Sequence, residues 1–162
     1  MTSRQRDDGL WLARCAERGA ESPDPRTKIG CVIVGPGNSL IADACNTYPK
    51  GIDKTVTSRT EIPSKYIWIE HAERNAIYYA ARRGLSTEGC TIFVELNPCV
   101  DCARAIIQAG LAEVVINQDR TAEYVSERYS SEHRVALGML VEAGVTVRFV
   151  SLGNVAGTLE EG

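Results

Sequence analysis

The sequence predicts an α/β domain built in layers, and two patterns support that prediction. From residue 70 onward, short runs rich in Val, Ile and Phe alternate with helical segments, as in parallel strands joined through helices. Upstream, two apolar runs flank a Gly-Pro-Gly-Asn turn at residues 35–38, which predicts a hairpin. At 162 residues the chain can bury one core. We therefore expect one domain over residues 1–150 and a loose, polar tail over residues 151–162.

The N-terminal part is predicted to hold one helix and the hairpin. Residues 4–19 have an amphipathic pattern, and Gly19 with the Ser-Pro-Asp-Pro run that follows ends the helix. The hairpin strands are predicted over residues 29–34 and 40–45. Residues 46–65 are polar and contain two prolines, so they are expected to form a long loop of the kind that often carries function.

The C-terminal part alternates between the two element types, and a glycine follows each helical segment (Gly84, Gly110 and Gly144). Helices are predicted over residues 70–83, 99–109 and 130–143, and strands over residues 90–95, 113–117 and 145–150.

The charge balance favours a small-molecule substrate over a polynucleotide. The formal net charge is -3 and the isoelectric point is about 5.5, whereas nucleic-acid binding usually needs a basic face. Two local basic clusters are interpreted as solvated surface (Lys50, Lys54, Arg59 and Lys65 in one, Arg82 and Arg83 in the other).

Export and membrane insertion are not expected. No apolar run approaches the length of a membrane span, and residues 1–8 lack the apolar segment of a signal peptide. Four of the six cysteines lie among apolar neighbours and are expected to be small buried side chains (Cys15, Cys31, Cys45 and Cys90). A reducing cytoplasm is therefore the predicted location.

Two short motifs carry the chemistry. His71-Ala72-Glu73 opens one predicted helix, and Pro98-Cys-Val-Asp-Cys102 opens another. Cys99 and Cys102 are three residues apart, so both thiols project from one face, and the positive end of the helix favours their thiolates. With His71 they would supply three ligands to one catalytic Zn²⁺ per subunit and leave a fourth position for water. This spacing is the signature of zinc-dependent nucleobase deaminases.

Glu73 is predicted to be the acid/base group of this site. Residues two apart on a helix point to different faces, so Glu73 is not expected to ligate the ion that His71 holds. It can instead carry protons between the attacking water, the ring nitrogen and the departing ammonia.

Two other interpretations of the metal motif stay open. A closed, structural zinc site needs a fourth protein ligand, and the candidates are poor: His133 continues an apolar helix stripe and is expected at a helix edge or in the core, and Cys90 begins a strand. A redox-active Cys-x-x-Cys pair is the second alternative, although its usual context lacks the His-x-Glu element.

The chain resembles the cytidine/deoxycytidylate deaminase superfamily, most closely its deoxycytidylate (dCMP) branch. The resemblance covers about residues 10–150 and is carried by Asp24-Pro-Arg-Thr-Lys-Ile-Gly-Cys-Val-Ile-Val34, Lys65-Tyr66, His71-Ala-Glu-Arg-Asn-Ala-Ile77, Pro98-Cys-Val-Asp-Cys-Ala103 and Ile106-Ile-Gln-Ala-Gly110. It implies a three-layer α-β-α sandwich with a central five-stranded mixed sheet. It also implies hydrolytic deamination of dCMP to dUMP and a homo-oligomer, a hexamer or a dimer.

The resemblance further implies substrate contacts. Asn46 and the backbone of Ala72 would hold the nucleotide, and Thr27 and Lys28 are candidates for its sugar or phosphate region. Tyr124 or Tyr129 is a candidate to pack on the base, with core packing as the alternative.

The chain departs from the branch at three places. Residues 44–47 read Ala-Cys-Asn-Thr, where regulated enzymes of the branch have Gly-Tyr-Asn-Gly, which weakens the expectation of control by dCTP and dTTP. Residues 118–131 are longer than in the branch and could reshape the pocket. Arg74 replaces an apolar residue and is expected to reach a neighbouring subunit or the substrate phosphate.

The substrate itself stays open at this level. Cytidine or CMP, a 5-modified dCMP and guanine would use the same chemistry, an RNA base is disfavoured by the acidic charge, and a non-catalytic zinc domain that binds nucleotide would have no use for Glu73.

Overall fold

The computed structural model describes residues 3–124 and 127–153. Within these ranges, side chains are described for all residues except 3, 5, 6, 124 and 127–130. The helices are α1 (Ser3–Ala20), α2 (Lys65–Trp68), α3 (Ala72–Arg82), α4 (Val100–Gln108), α5 (Gln118–Tyr124) and α6 (Glu127–Glu142). The strands are β1 (Gly30–Gly35), β2 (Ser39–Cys45), β3 (Thr91–Val94), β4 (Glu113–Asn117) and β5 (Thr146–Val150).

Within the described residues, the five strands form one mixed sheet in the order β2-β1-β3-β4-β5. Strand β1 pairs antiparallel with both β2 and β3, whereas β3–β4 and β4–β5 are parallel. The first pair is the predicted hairpin. The parallel pairs are the predicted strand–helix–strand units, because a parallel connection must cross back through a helix.

Helices cover both faces of this sheet. On one face, Leu12 and Cys15 of α1 pack with Val32, Phe93 and Val115 of the sheet. On the other face, the small residues of α3 and the apolar residues of α4 and α6 pack against the alternate sheet positions (Ala72, Ala76, Ala80, Ala103, Ile106, Ala136 and Leu140 against Cys31, Ile33, Ile92, Val94, Val114 and Ile116). The predicted three-layer sandwich with a five-stranded mixed sheet is confirmed.

The strand register brings several chain segments to one edge of the sheet. Gly30, at the start of β1, lies opposite Cys45, at the end of β2, and the neighbouring Cys31 lies opposite Val94, at the end of β3. Val94 in turn pairs with Ile116 near the end of β4. The segments before residue 30 and after residues 45, 94 and 117 therefore meet at this edge.

The boundaries of two elements differ from the prediction. Helix α3 begins at Ala72, because the backbone of Glu70 is held instead by a bridge to Thr47: the Thr47 N–H donates to the Glu70 carbonyl (3.1 Å) and the Glu70 N–H to the Thr47 carbonyl (2.9 Å). The predicted loop over residues 46–65 contains a single 3₁₀ turn at Thr57–Arg59, and the single-turn helix α2 begins at its last residue, Lys65.

The described residues of the segment that follows β4 are helical. They form α5 and the beginning of α6, which starts at Glu127 instead of the predicted residue 130. Past β5, the Leu152 N–H donates to Asp119 Oδ2 of α5 (2.7 Å). The predicted tail lies, from residue 154, outside the described residues. In the described part of the chain, no helix is both long and apolar enough to span a membrane.

Candidate metal centre and substrate pocket

His71, Cys99 and Cys102 form a compact group of metal-binding atoms. The Nδ1 atom of His71 lies 3.5 Å from the Sγ atoms of both Cys99 and Cys102, and the three ligand atoms lie within 4.8 Å of one another. Around a tetrahedral zinc with Zn–S near 2.3 Å and Zn–N near 2.0–2.1 Å, an N–S separation of about 3.6 Å is expected. The cluster has the geometry and the donor set of a catalytic zinc site, as the sequence predicted.

Two helix starts hold these ligands in place. His71 and Cys99 each occupy the N-cap position, with extended backbone, of α3 and α4 respectively. The Cys99 thiol accepts the backbone N–H of Cys102 (3.5 Å), and Pro98 immediately before it is fully buried. Helices α3 and α4 pack beside each other, so both positive helix ends point at the cluster and favour thiolates.

Neighbouring protein groups shift the pKa values of the two thiols in opposite directions. Hydrogen bonds from Cys102 and His71 lower the pKa of Cys99, although burial opposes them. The hydrogen bond to Cys99, together with burial, raises the pKa of Cys102. The cluster therefore favours the thiolate at Cys99 and the thiol at Cys102, whose proton metal binding would release.

Glu73 is the acid/base candidate, and it is almost completely buried (6% exposed) at the first turn of α3. Burial raises the pKa of its carboxyl, while the nearby His71 lowers it. A carboxyl whose pKa rises toward neutrality exchanges protons more readily at physiological pH. Glu73 lines the pocket with His71 and Cys99 but is not a member of the ligand cluster; its acid/base role stays a prediction.

Arg74 is placed differently from the prediction. Its Nε donates to Glu70 Oε1 (2.6 Å), and its Nη1 lies 3.5 Å from Cys102 Sγ and 3.8 Å from Cys99 Sγ. The guanidinium is therefore directed at the metal ligands of its own chain, where it offsets thiolate charge. Glu70 itself precedes α3 and does not occupy its first turn; its carboxylate accepts the His71 N–H (3.0 Å) and fixes Arg74.

A cavity of about 200 Å³ opens beside the metal ligands at the sheet edge described above. Of the predicted substrate contacts, Thr27, Asn46 and Ala72 line it. Lys28 does not: its Nζ donates to the carbonyls of Ser22 (2.9 Å) and Ala20 (3.2 Å). The side chains of Tyr124 and Tyr129 lie outside the described residues.

Asn46 is held in place by the backbone of the neighbouring segment. Its Oδ1 accepts the Ile29 N–H (2.9 Å), and its Nδ2 donates to the Thr27 carbonyl (2.8 Å). A carboxamide has two donors and two acceptor positions in total, so one of each remains for a substrate.

The sequence did not identify several groups in the pocket. Lys65 was interpreted as solvated surface, yet it is 8% exposed and its Nζ donates to the buried Asp24 (2.8 Å). His133 was expected in the core or at a helix edge, yet α6 brings it to the pocket, where burial lowers the pKa of its imidazole. Asn97 and Thr121 also line the cavity. Asn97 lies two residues before Cys99, whereas Thr121 and His133 reach the pocket through tertiary packing.

The closed-site and redox alternatives find no support in the geometry. Within the part of the chain that the structure describes, the cluster contains no fourth His, Cys, Asp or Glu. Cys90 is buried elsewhere, its thiol facing the carbonyls of Ser86 and Glu88. All six cysteines are free, and Cys15, Cys31, Cys45 and Cys90 are buried as predicted.

Comparison with known proteins agrees with this site. Residues 5–118 match the family model described as "Cytidine and deoxycytidylate deaminase zinc-binding region". An uncharacterized deaminase in the luxG 3' region of Aliivibrio fischeri is 38% identical over 83% of this chain and 86% of its own length. The deoxycytidylate deaminase of Homo sapiens is 31% identical over 91% of this chain and 84% of its own length.

The fold is also similar to that of a solved deaminase structure. The dCMP deaminase of cyanophage S-TIM5 superposes over 93% of this chain and 100% of its own with a TM-score of 0.69, at 24% identity. A mixed sheet between two helical layers, with a His/Cys/Cys zinc site at the starts of two helices, defines a zinc-dependent deaminase. More specifically, the chain belongs to the cytidine and deoxycytidylate deaminase family.

Proposed function

We propose that this deaminase converts dCMP to dUMP and so acts in pyrimidine deoxynucleotide metabolism. The observation that carries the proposal is the buried Glu73 beside the His71/Cys99/Cys102 cluster, in a pocket whose wall carries an oriented Asn46. The choice of dCMP is supported by the 31% identity to human deoxycytidylate deaminase over 91% of the chain.

The residues of the pocket divide the reaction between them. A zinc ion held by His71, Cys99 and Cys102 would supply Lewis acidity and a water of lowered pKa. Glu73 would take a proton from the attacking water and deliver it to ring nitrogen N3 as the new C4–O bond forms. Glu73 would then carry the remaining hydroxyl proton to the amine at C4, so that the C4–N bond breaks and ammonia leaves.

The other wall would hold the nucleotide. The Ala72 N–H lies in the first turn of α3, where backbone donors have no partner within the helix, and would bind a pyrimidine oxygen. Asn46, with one donor and one acceptor to spare, would contact the sugar, and Thr27 would lie beside it. Lys28 is left out of this assignment because the carbonyls of Ala20 and Ser22 hold its ammonium.

The substrate assignment is tested by ammonia release from cytidine, deoxycytidine, CMP, dCMP, 5-methyl-dCMP and guanine under identical conditions. We expect the highest kcat/KM with dCMP. A different best substrate would reject the dCMP assignment and leave the deaminase chemistry standing. Because residues 44–47 differ from the regulated pattern, we expect dCTP and dTTP to change the rate little.

We also propose one catalytic domain over residues 1–150, located in the cytoplasm and assembled as a homo-oligomer, a hexamer or a dimer. Helix α3 presents the half-exposed Tyr78 and Tyr79, which supports association of copies of this chain. Light scattering of the purified protein measures the state directly, and a monomer at micromolar concentration would contradict the proposal.

A further inference from the structure

An ion pair is buried in the wall of the pocket, and neither of its members belongs to the cluster of metal ligands. Asp24 is 2% exposed and Lys65 8% exposed, both line the cavity, and Lys65 Nζ donates to Asp24 Oδ2 at 2.8 Å. The two residues are 41 positions apart in the chain. A buried ion pair adds little net stability over an apolar pair of similar shape. Stability therefore does not explain why this pair lies in the pocket wall beside Thr27 and Asn46.

The second oxygen of Asp24 organises the segment that follows it. Asp24 Oδ1 accepts the backbone N–H groups of Arg26 (2.9 Å) and Thr27 (3.2 Å). This is a local turn closed by an aspartate side chain, and it sets the backbone at Thr27. Thr27 is one of the residues to which Asn46 is bound, since Asn46 Nδ2 donates to its carbonyl.

The link continues from that turn to the end of β2. Asn46 is held by Thr27 and Ile29 through its side chain, and its own N–H donates to the Ile29 carbonyl (3.0 Å). Ser22 completes this hydrogen-bond network: its hydroxyl donates to the Asn46 carbonyl (2.7 Å) and accepts the Asp24 N–H (3.2 Å). The orientation of the Asn46 carboxamide therefore depends on the turn that Asp24 holds.

Lys65 connects this turn to the other side of the pocket. It is the first residue of α2, its backbone N–H donates to the Glu61 carbonyl (2.8 Å), and its ammonium lies 5.7 Å from the ring centroid of Tyr66. Tyr66 and Ile69, from the same segment, also line the cavity. Lys65 thus connects the α2 segment to the turn that orients Asn46.

We propose that the buried Asp24–Lys65 ion pair is a positioning device that holds Thr27 and Asn46 in the orientation needed to bind the nucleoside part of the substrate. The pair acts through those two residues and not on the reacting atoms. In its use of Asn46 and Thr27 as substrate contacts, the inference rests on the proposed function. Loss of the pair is therefore expected to raise KM and to leave kcat nearly unchanged.

The test compares Lys65→Met, the double variant Asp24→Asn/Lys65→Met and the control Lys50→Met, which removes an exposed lysine of the same loop. The double variant leaves no buried charge unpaired and keeps the proposal testable if Lys65→Met alone does not fold. Zinc content is measured in each, and deamination is measured with the best substrate of the panel above. We expect both pair variants to raise KM about tenfold, the loss of one good substrate hydrogen bond, with kcat within about twofold.

A second measurement does not depend on any substrate. In ¹⁵N-labelled zinc-loaded protein, the side-chain amide of Asn46 and the backbone N–H of Thr27 are expected to shift and to exchange faster in both pair variants, and to match the wild type in Lys50→Met. Unchanged signals overturn the positioning role. So does a double variant with wild-type KM, or a loss confined to kcat. If the wild type deaminates nothing in the panel, the proposed function fails, while the amide signals still decide the role of the pair.

Discussion

Two helix starts supply the three metal ligands and Glu73 (His71, Glu73, Cys99 and Cys102), whereas the proposed substrate wall is assembled from segments far apart in the chain (Asp24, Thr27, Asn46 and Lys65). At the helix starts, short spacing and helix geometry determine where each group points. In the wall, Asn46 and Lys65 are held by partners from another segment. The metal ligands are therefore placed by short local motifs, whereas the proposed substrate wall is placed by tertiary packing.

The largest expected effect comes from removing a metal ligand. Cys102→Ala should lose zinc and reduce deamination by about 10⁴-fold or more, because the site then has two protein ligands and no activated water. Metal analysis and ammonia release measure both. Cys90→Ala, which removes a buried thiol outside the cluster, is the matched control and should keep zinc. Equal zinc content in the two variants would contradict the assigned ligand set.

The next largest effect is expected from Glu73, and it distinguishes the role of the proton carrier from that of the metal. Glu73→Gln should keep zinc and lower kcat by about 10²–10⁴-fold, the usual contribution of a positioned general acid/base. Metal analysis, steady-state kinetics and binding of dUMP check this, with Glu142→Gln at an exposed position as the control. Activity that survives with zinc in place would show that another group moves the proton.

A smaller effect is expected at the layer behind the ligands. Arg74→Leu should weaken zinc binding by about 10–100-fold, because the thiolates lose a charged donor near both sulfur atoms. Competition with a chelator measures the affinity. The control is Arg104→Leu, an exposed arginine on α4 that pairs with Asp101. Unchanged zinc affinity in Arg74→Leu would mean that its guanidinium only anchors Glu70.

The smallest effect concerns stability in the substrate wall and its pH dependence. Burial opposes ionisation of Asp24, but hydrogen bonds from Lys65 and the backbone hold its pKa below the ordinary value of 3.8. The ion pair then stabilises the fold fully above that value and loses its contribution as the pH falls through the lower folded pKa. Denaturant unfolding of the wild type and Asp24→Asn should differ most near neutral pH and converge in acid. A difference that stays constant down to pH of about 3 would contradict an ionised Asp24.

The prediction from sequence succeeded where a pattern is local. Glycines at the helix ends and alternating apolar runs located the elements of the sheet to within a few residues, and the two motifs identified all three zinc ligands. It was wrong for Lys65, because a lysine in a polar loop has the pattern of solvated surface and its partner Asp24 lies far away in sequence. For Arg74 the sequence did not indicate its contacts within the chain, with Glu70 and the thiols of Cys99 and Cys102, because these depend on how α3 and α4 pack.

The same contrast between local sequence pattern and tertiary packing is seen where α5 and α6 meet the pocket. The length of residues 118–131 indicated a change to the pocket, and the tertiary structure places Thr121 of α5 and His133 of α6 in its wall. Periodicity and the short spacings within the two motifs were enough to predict most strands and helices and the three zinc ligands. The burial of Lys65 against Asp24 and the arrangement of the pocket wall around them emerge only in the tertiary structure, because burial and charge pairing are properties of segments that meet only in the folded chain.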